Sequence, residues 1–207
     1  PYGIEAVTQY RSEYNYRGFQ LADETTSFQV GLRYQFDDSS YLNSALWHDG
    51  ETGDGDFSEA GAILEIGKDL GNSSFTLSTT YRSYSHSIFE SGVNIEASAN
   101  YNLSENLTAS GKVAYDTGAN GLYGELGFQY YIRVNDDSYV NLSTGVSYID
   151  DYYDLSGLND AFAKVSFTYN INDSVSFTPY VGTSILLDNE ENRMDSLNAG
   201  AYFAVSF

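Results

Sequence analysis

Apolar and polar positions alternate along much of the chain. In its last segment, Leu197, Ala199, Ala201, Phe203, Val205 and Phe207 fall on one face, and Asn198, Gly200, Tyr202, Ala204 and Ser206 on the other. A period of two marks a β-strand whose faces meet different surroundings. The same pattern sets Val175, Phe177, Val181, Ile185 and Leu187 against Ser176, Thr178, Gly182 and Ser184. It sets Val93, Ile95, Ala97, Ala99 and Tyr101 against Asn94, Glu96, Ser98, Asn100 and Asn102. Continued through the chain, it predicts twelve strands at 3–17, 26–36, 40–48, 57–68, 74–84, 91–103, 107–116, 121–134, 138–149, 160–171, 174–187 and 196–207. The third has the weakest signal, and Pro179, which cannot donate to a ladder, invites a bulge in the eleventh. No composition shift divides 1–207 into more than one domain.

The connections alternate in length. Short ones carry Asp37-Asp38-Ser39, Gly71-Asn72-Ser73, Ser104-Glu105-Asn106, Asn135-Asp136-Asp137 and Asn172-Asp173, residues that tolerate tight-turn geometry or hydrogen-bond their own backbone. The others, near 18–25, 49–56, 85–90, 117–120, 150–159 and 188–195, are generally longer. Short turns at one end and longer loops at the other are the mark of a transmembrane β-barrel. The expected fold is therefore all-β: a transmembrane antiparallel up-and-down barrel of twelve strands, both termini at the short-turn, periplasmic end. Aromatic positions of the apolar face then sort into two belts, as interfacial rings do. Tyr34, Phe36, Phe75, Tyr101, Tyr169, Phe177 and Phe207 fall near one end, and Tyr14, Tyr16, Tyr81, Tyr115 and Tyr148 near the other.

Composition sharpens this reading. The chain has 20 Tyr and 12 Phe, yet a mean hydropathy of −0.36 and a net charge of −20. Lipid-facing rings around a polar lumen reconcile the two, where a soluble acidic sandwich would have to hide the rings. Cysteine is absent, which excludes disulfide scaffolds and thiolate metal sites. Sorting charges by face places Glu5, Arg11, Glu13, Arg17, Arg33, Glu59, Glu65, Arg82, Glu96, Lys112, Glu125, Arg133 and Lys164 in the lumen, near +1. The remaining acids, with Lys68 and Arg193, gather in loops and turns, most of them on the outer side. Lumenal Tyr123, Tyr131, Tyr180 and Tyr202 offer stacking surfaces for a solute, or simply fill space.

Catalytic and metal chemistry finds little support. The two histidines, His48 and His86, stand at outer strand ends, and the Ser85 and Ser87 beside His86 point to the opposite face, so no triad is legible. No enzyme activity and no cofactor are expected. The acidic run Asp49-Gly-Glu51-Thr-Gly-Asp54-Gly-Asp56 offers hard oxygens for weakly held Ca²⁺ at the outer loops but departs from EF-hand spacing. At −20 the chain would repel nucleic acid.

One stretch carries a family likeness. Tyr10-Arg-Ser-Glu-Tyr-Asn-Tyr-Arg-Gly18, Ala22-Asp23 and Ser27-Phe-Gln-Val-Gly-Leu-Arg-Tyr34 resemble the opening of the TorF-type family of bacterial outer-membrane porins, over about the first 45 residues. The resemblance implies an outer-membrane location and a channel for passive diffusion of ions and small hydrophilic solutes. It brings no catalytic residues. The closing Tyr202-Phe-Ala-Val-Ser-Phe207 looks like the terminal-phenylalanine signal read by the barrel-assembly machinery, so the expected partners are that machinery, outer-membrane lipid and lipopolysaccharide. The competing reading is a barrel closed by Arg–Glu pairs that serves as membrane anchor or surface platform, and a membrane enzyme stands third.

Overall fold

Residues 2–188 and 193–207 are described by the structure, a computed structural model. Residues 189–192 of the expected loop 188–195 lie outside that set. The chain forms strands β1 (Tyr2–Arg11), β2 (Tyr14–Tyr16), β3 (Phe19–Ala22), β4 (Thr25–Gln35), β5 (Ser40–Glu51), β6 (Ser58–Leu70) and β7 (Ser73–Ser85). There follow β8 (Gly92–Asn102), β9 (Leu107–Asp116), β10 (Gly121–Arg133), β11 (Ser138–Tyr152), β12 (Leu155–Asn172), β13 (Val175–Leu186) and β14 (Ser196–Ser206). All but β2 and β3 pair antiparallel, neighbour to neighbour, into one closed barrel of twelve strands, sealed by β1 against β14. Closure leaves no unpaired strand edge, which is what a sheet in hydrocarbon requires.

Period-two faces have the expected consequence. Leu46, Leu64, Leu126, Val181, Leu197, Phe203 and Phe207 are exposed on the outside, where lipid rather than a protein core would cover them. The belt rings Tyr34, Phe36, Phe75, Tyr101, Tyr169 and Phe207 at the turn end, and Tyr81, Tyr115 and Tyr148 at the loop end, are likewise exposed.

Three expectations are corrected. First, the opening strand stops at Arg11 instead of running to residue 17. A bend at Ser12 and Glu13 breaks its phase, and β2 and β3 form a separate hairpin (Tyr16 opposite Phe19). Its two central residues, Arg17 and Gly18, have φ of 53° and 78°, the positive values that a two-residue hairpin of the twisted kind demands. Tyr14 and Tyr16 therefore leave the expected lipid belt, and Tyr14 is buried inside the barrel mouth. Second, the expected loop 150–159 is mostly ladder. Strands β11 and β12 continue to a turn at Tyr153 and Asp154, again both at positive φ (51° and 64°). Third, Pro179 makes no bulge: it pairs with Ala201 in unbroken register, and on the other side the β12 ladder resumes unshifted. The irregularities fall at Val146/Tyr148, Ile149/Tyr152 and Asn170/Asn172.

Among the described residues, the buried apolar core sits at the loop end, inside the mouth. It gathers Tyr14, Phe19, Leu21 and Ala22 of the hairpin with Phe57, Phe89, Ala119, Tyr123, Ile149 and Tyr152 from the wall and loops.

Candidate functional site

The hairpin decides the character of the lumen. It leaves the wall after β1, crosses the loop-end mouth and lands on the opposite wall. At its tip the Arg17 guanidinium donates to Asn94 Oδ1 (2.9 Å) and Tyr152 Oη (3.2 Å) and pairs with Glu96 (3.4 Å) and Asp116 (3.7 Å). It also lies over the rings of Tyr123 (4.5 Å) and Tyr16 (5.0 Å), a cation–π arrangement that strengthens away from water. The Arg17 carbonyl accepts from Asn159 Nδ2 (2.8 Å), and the Gly18 carbonyl accepts from Arg193 Nη2 (2.9 Å). A Cβ at Gly18 would lie 3.0 Å from both of those nitrogens, so the close approach needs glycine as much as the positive φ does. Arg193 covers the ring of Phe19 from 3.9 Å.

Rings complete the cover. Phe89 stacks on Tyr153 at 4.5 Å and meets Phe19 edge-on at 5.2 Å, and Tyr14 meets Phe57 edge-on at 5.8 Å. Tyr153 sits in the β11–β12 turn, where its oxygen accepts from the Glu90 N–H (2.9 Å). Burial pushes its hydroxyl up to about 12, so it stays neutral.

Beneath the hairpin the wall carries paired charge. Glu59, fully buried, accepts from Trp47 Nε1 (2.6 Å), Arg82 Nη1 (2.8 Å) and Tyr14 Oη (3.0 Å). Arg11 pairs with buried Asp49 at 3.4 Å and lies over the Tyr14 ring at 4.0 Å. Lys112 pairs with Glu125 at 3.7 Å, and Glu125 accepts from Tyr123 Oη at 2.7 Å. Lys164 rests over Tyr180 at 4.1 Å. A cavity of about 550 Å³ lies here, lined by Gln9, Arg11, Trp47, Asp49, Arg82 and Lys164 among others, and by hairpin residues Glu13 to Tyr16. A second, of about 500 Å³, continues toward the turn end past Glu5, Arg33 and Glu65 and shares Gln29 and Ile63 with the first. There Arg33 covers Tyr41 at 3.8 Å, and Asn43 Nδ2 donates to Glu65 at 2.9 Å.

Most of the predicted lumenal charges do face inward. Arg133 instead stands exposed at the turn-end rim, bonded to Asp136 at 2.5 Å. Tyr131 is also exposed at that end, 5.0 Å from Tyr139. Of the other tyrosines, Tyr180 and Tyr202 face each other at 6.5 Å in the wall, while Tyr123 is committed to Arg17. Sequence reasoning missed three buried carboxylates. Asp49, Asp116 and Asp160 were sorted with the loop and turn acids but point inward. Asp160 accepts from the hydroxyls of Ser147 and Ser184 and from Asn159 Nδ2 (3.2 Å). With Arg193 drawn in as well, lumenal charge stays near balance.

The expected Ca²⁺ ligands are not brought together. Asp49 faces Arg11, Glu51 accepts from the N–H groups of Asp23 and Phe57, and Asp54 and Asp56 are exposed in the loop. Among the described residues no group of three or more acids or histidines is placed to hold a metal. His48 is exposed on the outer face opposite Phe28, and His86 is exposed in a loop at φ 52°. Neither approaches a nucleophile and a carboxylate together.

No protein-family model matches the chain, and no curated protein matches it in sequence. Many solved structures match it in shape. The KdgM porin has a TM-score of 0.63 at 10% identity, covering 99% of each chain. The COG4313 outer membrane channel from Pseudomonas putida F1 also has a TM-score of 0.63, at 11% identity, over 99% of this chain and 95% of that one. LpxR from Salmonella typhimurium has a TM-score of 0.62 at 10% identity, over 98% and 99%. At such identities the likeness is one of fold.

Proposed function

We propose that this barrel is an outer-membrane channel for passive diffusion of ions and small hydrophilic solutes, restricted at its outer mouth. One observation carries the reading: two adjoining cavities, about 550 and 500 Å³ and both flanked by inward-facing charged residues, run from the turn end up to the hairpin. A barrel of twelve strands is too wide for wall side chains alone to fill, and here a folded-in loop does the filling at one end only. Likeness to porins and an outer membrane channel supports both activity and location, and the TorF-type resemblance of the first 45 residues agrees with it. The reading includes no enzyme activity, since the histidines are isolated from partners.

The experiment is single-channel recording from purified protein in a planar bilayer. Discrete steps with weak ion selectivity are expected. A silent bilayer, both for the whole protein and for a barrel whose residues 13–23 are replaced by a short Gly-Ser linker, would refute the channel. The aromatic cover over the mouth favours a second reading, a closed barrel serving as anchor or surface platform, and the linker variant separates the two.

A further inference from the structure

We propose that the β2–β3 hairpin is a releasable plug: it docks across the mouth through Arg17 and swings clear about the bends at Ser12-Glu13 and Asp23-Glu24 to open the path. The inference rests on the channel reading.

The attachment is uneven. At the tip, one residue supplies most of the polar anchoring, to Asn94, Glu96, Asp116 and Tyr152 on three different strands. These bonds exist only while the hairpin is docked. None belongs to the barrel ladder, which closes without β2 and β3. Near the stem the fit is poor. Glu13 Oε1 and Asn15 Nδ2 on the hairpin side, and Arg82 Nε on the wall, are buried without a hydrogen-bond partner. A buried polar atom left unpaired costs free energy that water would remove on undocking. A strut that served only to brace the barrel would have no use for that penalty. A two-state element needs it, because docked and free forms must lie close in free energy for either to be reached.

The covering groups fit the same account. Most contacts of the hairpin with the far wall are side-chain rings and one guanidinium, so release breaks no strand pairing of the barrel. The first bend is tied to β14 by Ser12 N–H donating to Ala199 O (2.8 Å) and Ala199 N–H to Ser12 Oγ (2.9 Å). That fixes the pivot beside the β1–β14 seam while the tip is free to leave.

The test uses the full chain, which has no cysteine of its own. Arg17→Met removes the hydrogen bonds and ion pairs of the tip to Asn94, Glu96, Asp116 and Tyr152 and should raise the current about tenfold, toward that of the 13–23 linker variant. Equal current with and without the substitution overturns the plug while leaving the channel standing. Thiol labelling gives a second readout that needs no current. Leu21→Cys, at a buried hairpin position away from the tip, should react slowly, and about tenfold faster when combined with Arg17→Met. Equal labelling rates would overturn the latch role of Arg17. If the 13–23 linker variant is silent although folded, the channel reading fails and the plug with it. Heat-modifiable migration on gels verifies folding of every variant.

Discussion

Replacing Arg82 by leucine tests the electrostatic account of the wall most directly. Glu59 has no exposed side-chain surface, and among the described residues Arg82 is its one ionic partner, at 2.8 Å. The other donors, Trp47 Nε1 and Tyr14 Oη, are neutral. Arg82→Leu leaves a buried carboxylate with two neutral hydrogen bonds and no counter-charge. Removing one partner of a buried pair costs about 3–5 kcal/mol, mostly the penalty of the stranded charge. Two retained donors hold the effect toward the lower bound, so about 3 kcal/mol is expected at neutral pH. Adding Glu59→Gln should recover more than half of it, because the amide carries no charge while its oxygen still accepts from Trp47. Urea unfolding in detergent micelles provides the assay, with fluorescence of the single tryptophan as probe. A loss under about 1 kcal/mol for Arg82→Leu, or additive single and double variants, would show that the pair is effectively solvated.

Other expectations follow from geometry elsewhere. Gly145→Ala places a Cβ 2.5 Å from the Leu126 carbonyl oxygen, which as ladder backbone cannot yield, so urea unfolding should show a loss of about 1–3 kcal/mol. Asp37 accepts from Ser39 N–H first, then from the Ser39 hydroxyl and Ser40 N–H, which holds its carboxyl below the usual carboxylate range. Its contribution to stability is present above that range and lost as pH falls through the depressed value; Asp37→Asn should therefore flatten the acid limb of a pH–stability curve, and an unchanged limb counts against it. Ion selectivity should show mild cation preference at low salt that fades as salt rises, because lumenal charge is near balance and the acidic surplus sits at the rims. Reversal potentials that hold constant from low to high salt would contradict this.

The barrel was legible because lipid and lumen impose opposite demands on successive residues, and the chain answers in nearly every strand. The hairpin was not. Tyr10, Tyr14 and Tyr16 keep the parity of one continuing strand, and only the bend at Ser12-Glu13, which has no local signature, separates them. Arg17 preceding Gly18 read as the end of a strand, whereas its positive φ is fixed by contacts made on the far wall. The turn at Tyr153-Asp154 was hidden for a related reason. Tyrosine is a poor residue for positive φ, and its ring is held there by Phe89, a contact distant in sequence. Charge sorting failed for Asp49, Asp116 and Asp160 because each lies at or just beyond an expected strand end, where a loop-facing acid and an inward-facing one look alike. Their buried partners, Arg11, Arg17 and the serines 147 and 184, come from other strands.

The seam between β1 and β14 has a consequence for how the barrel forms. Every other joint of the wall unites strands adjacent along its perimeter and close in sequence, with only the hairpin residues set between β1 and β4. The seam joins residues from opposite ends of the described chain, with Phe207 N–H donating to Ile4 O at 2.9 Å. Pairings near in sequence lose little loop entropy, while a distant one must wait for the rest. Loop entropy alone therefore predicts a progressive curling with one late closure. Because Ile4 and Phe207 lie side by side, joining the two ends covalently and cutting instead in the 103–106 turn would move the late step to the β8–β9 boundary without altering the finished wall.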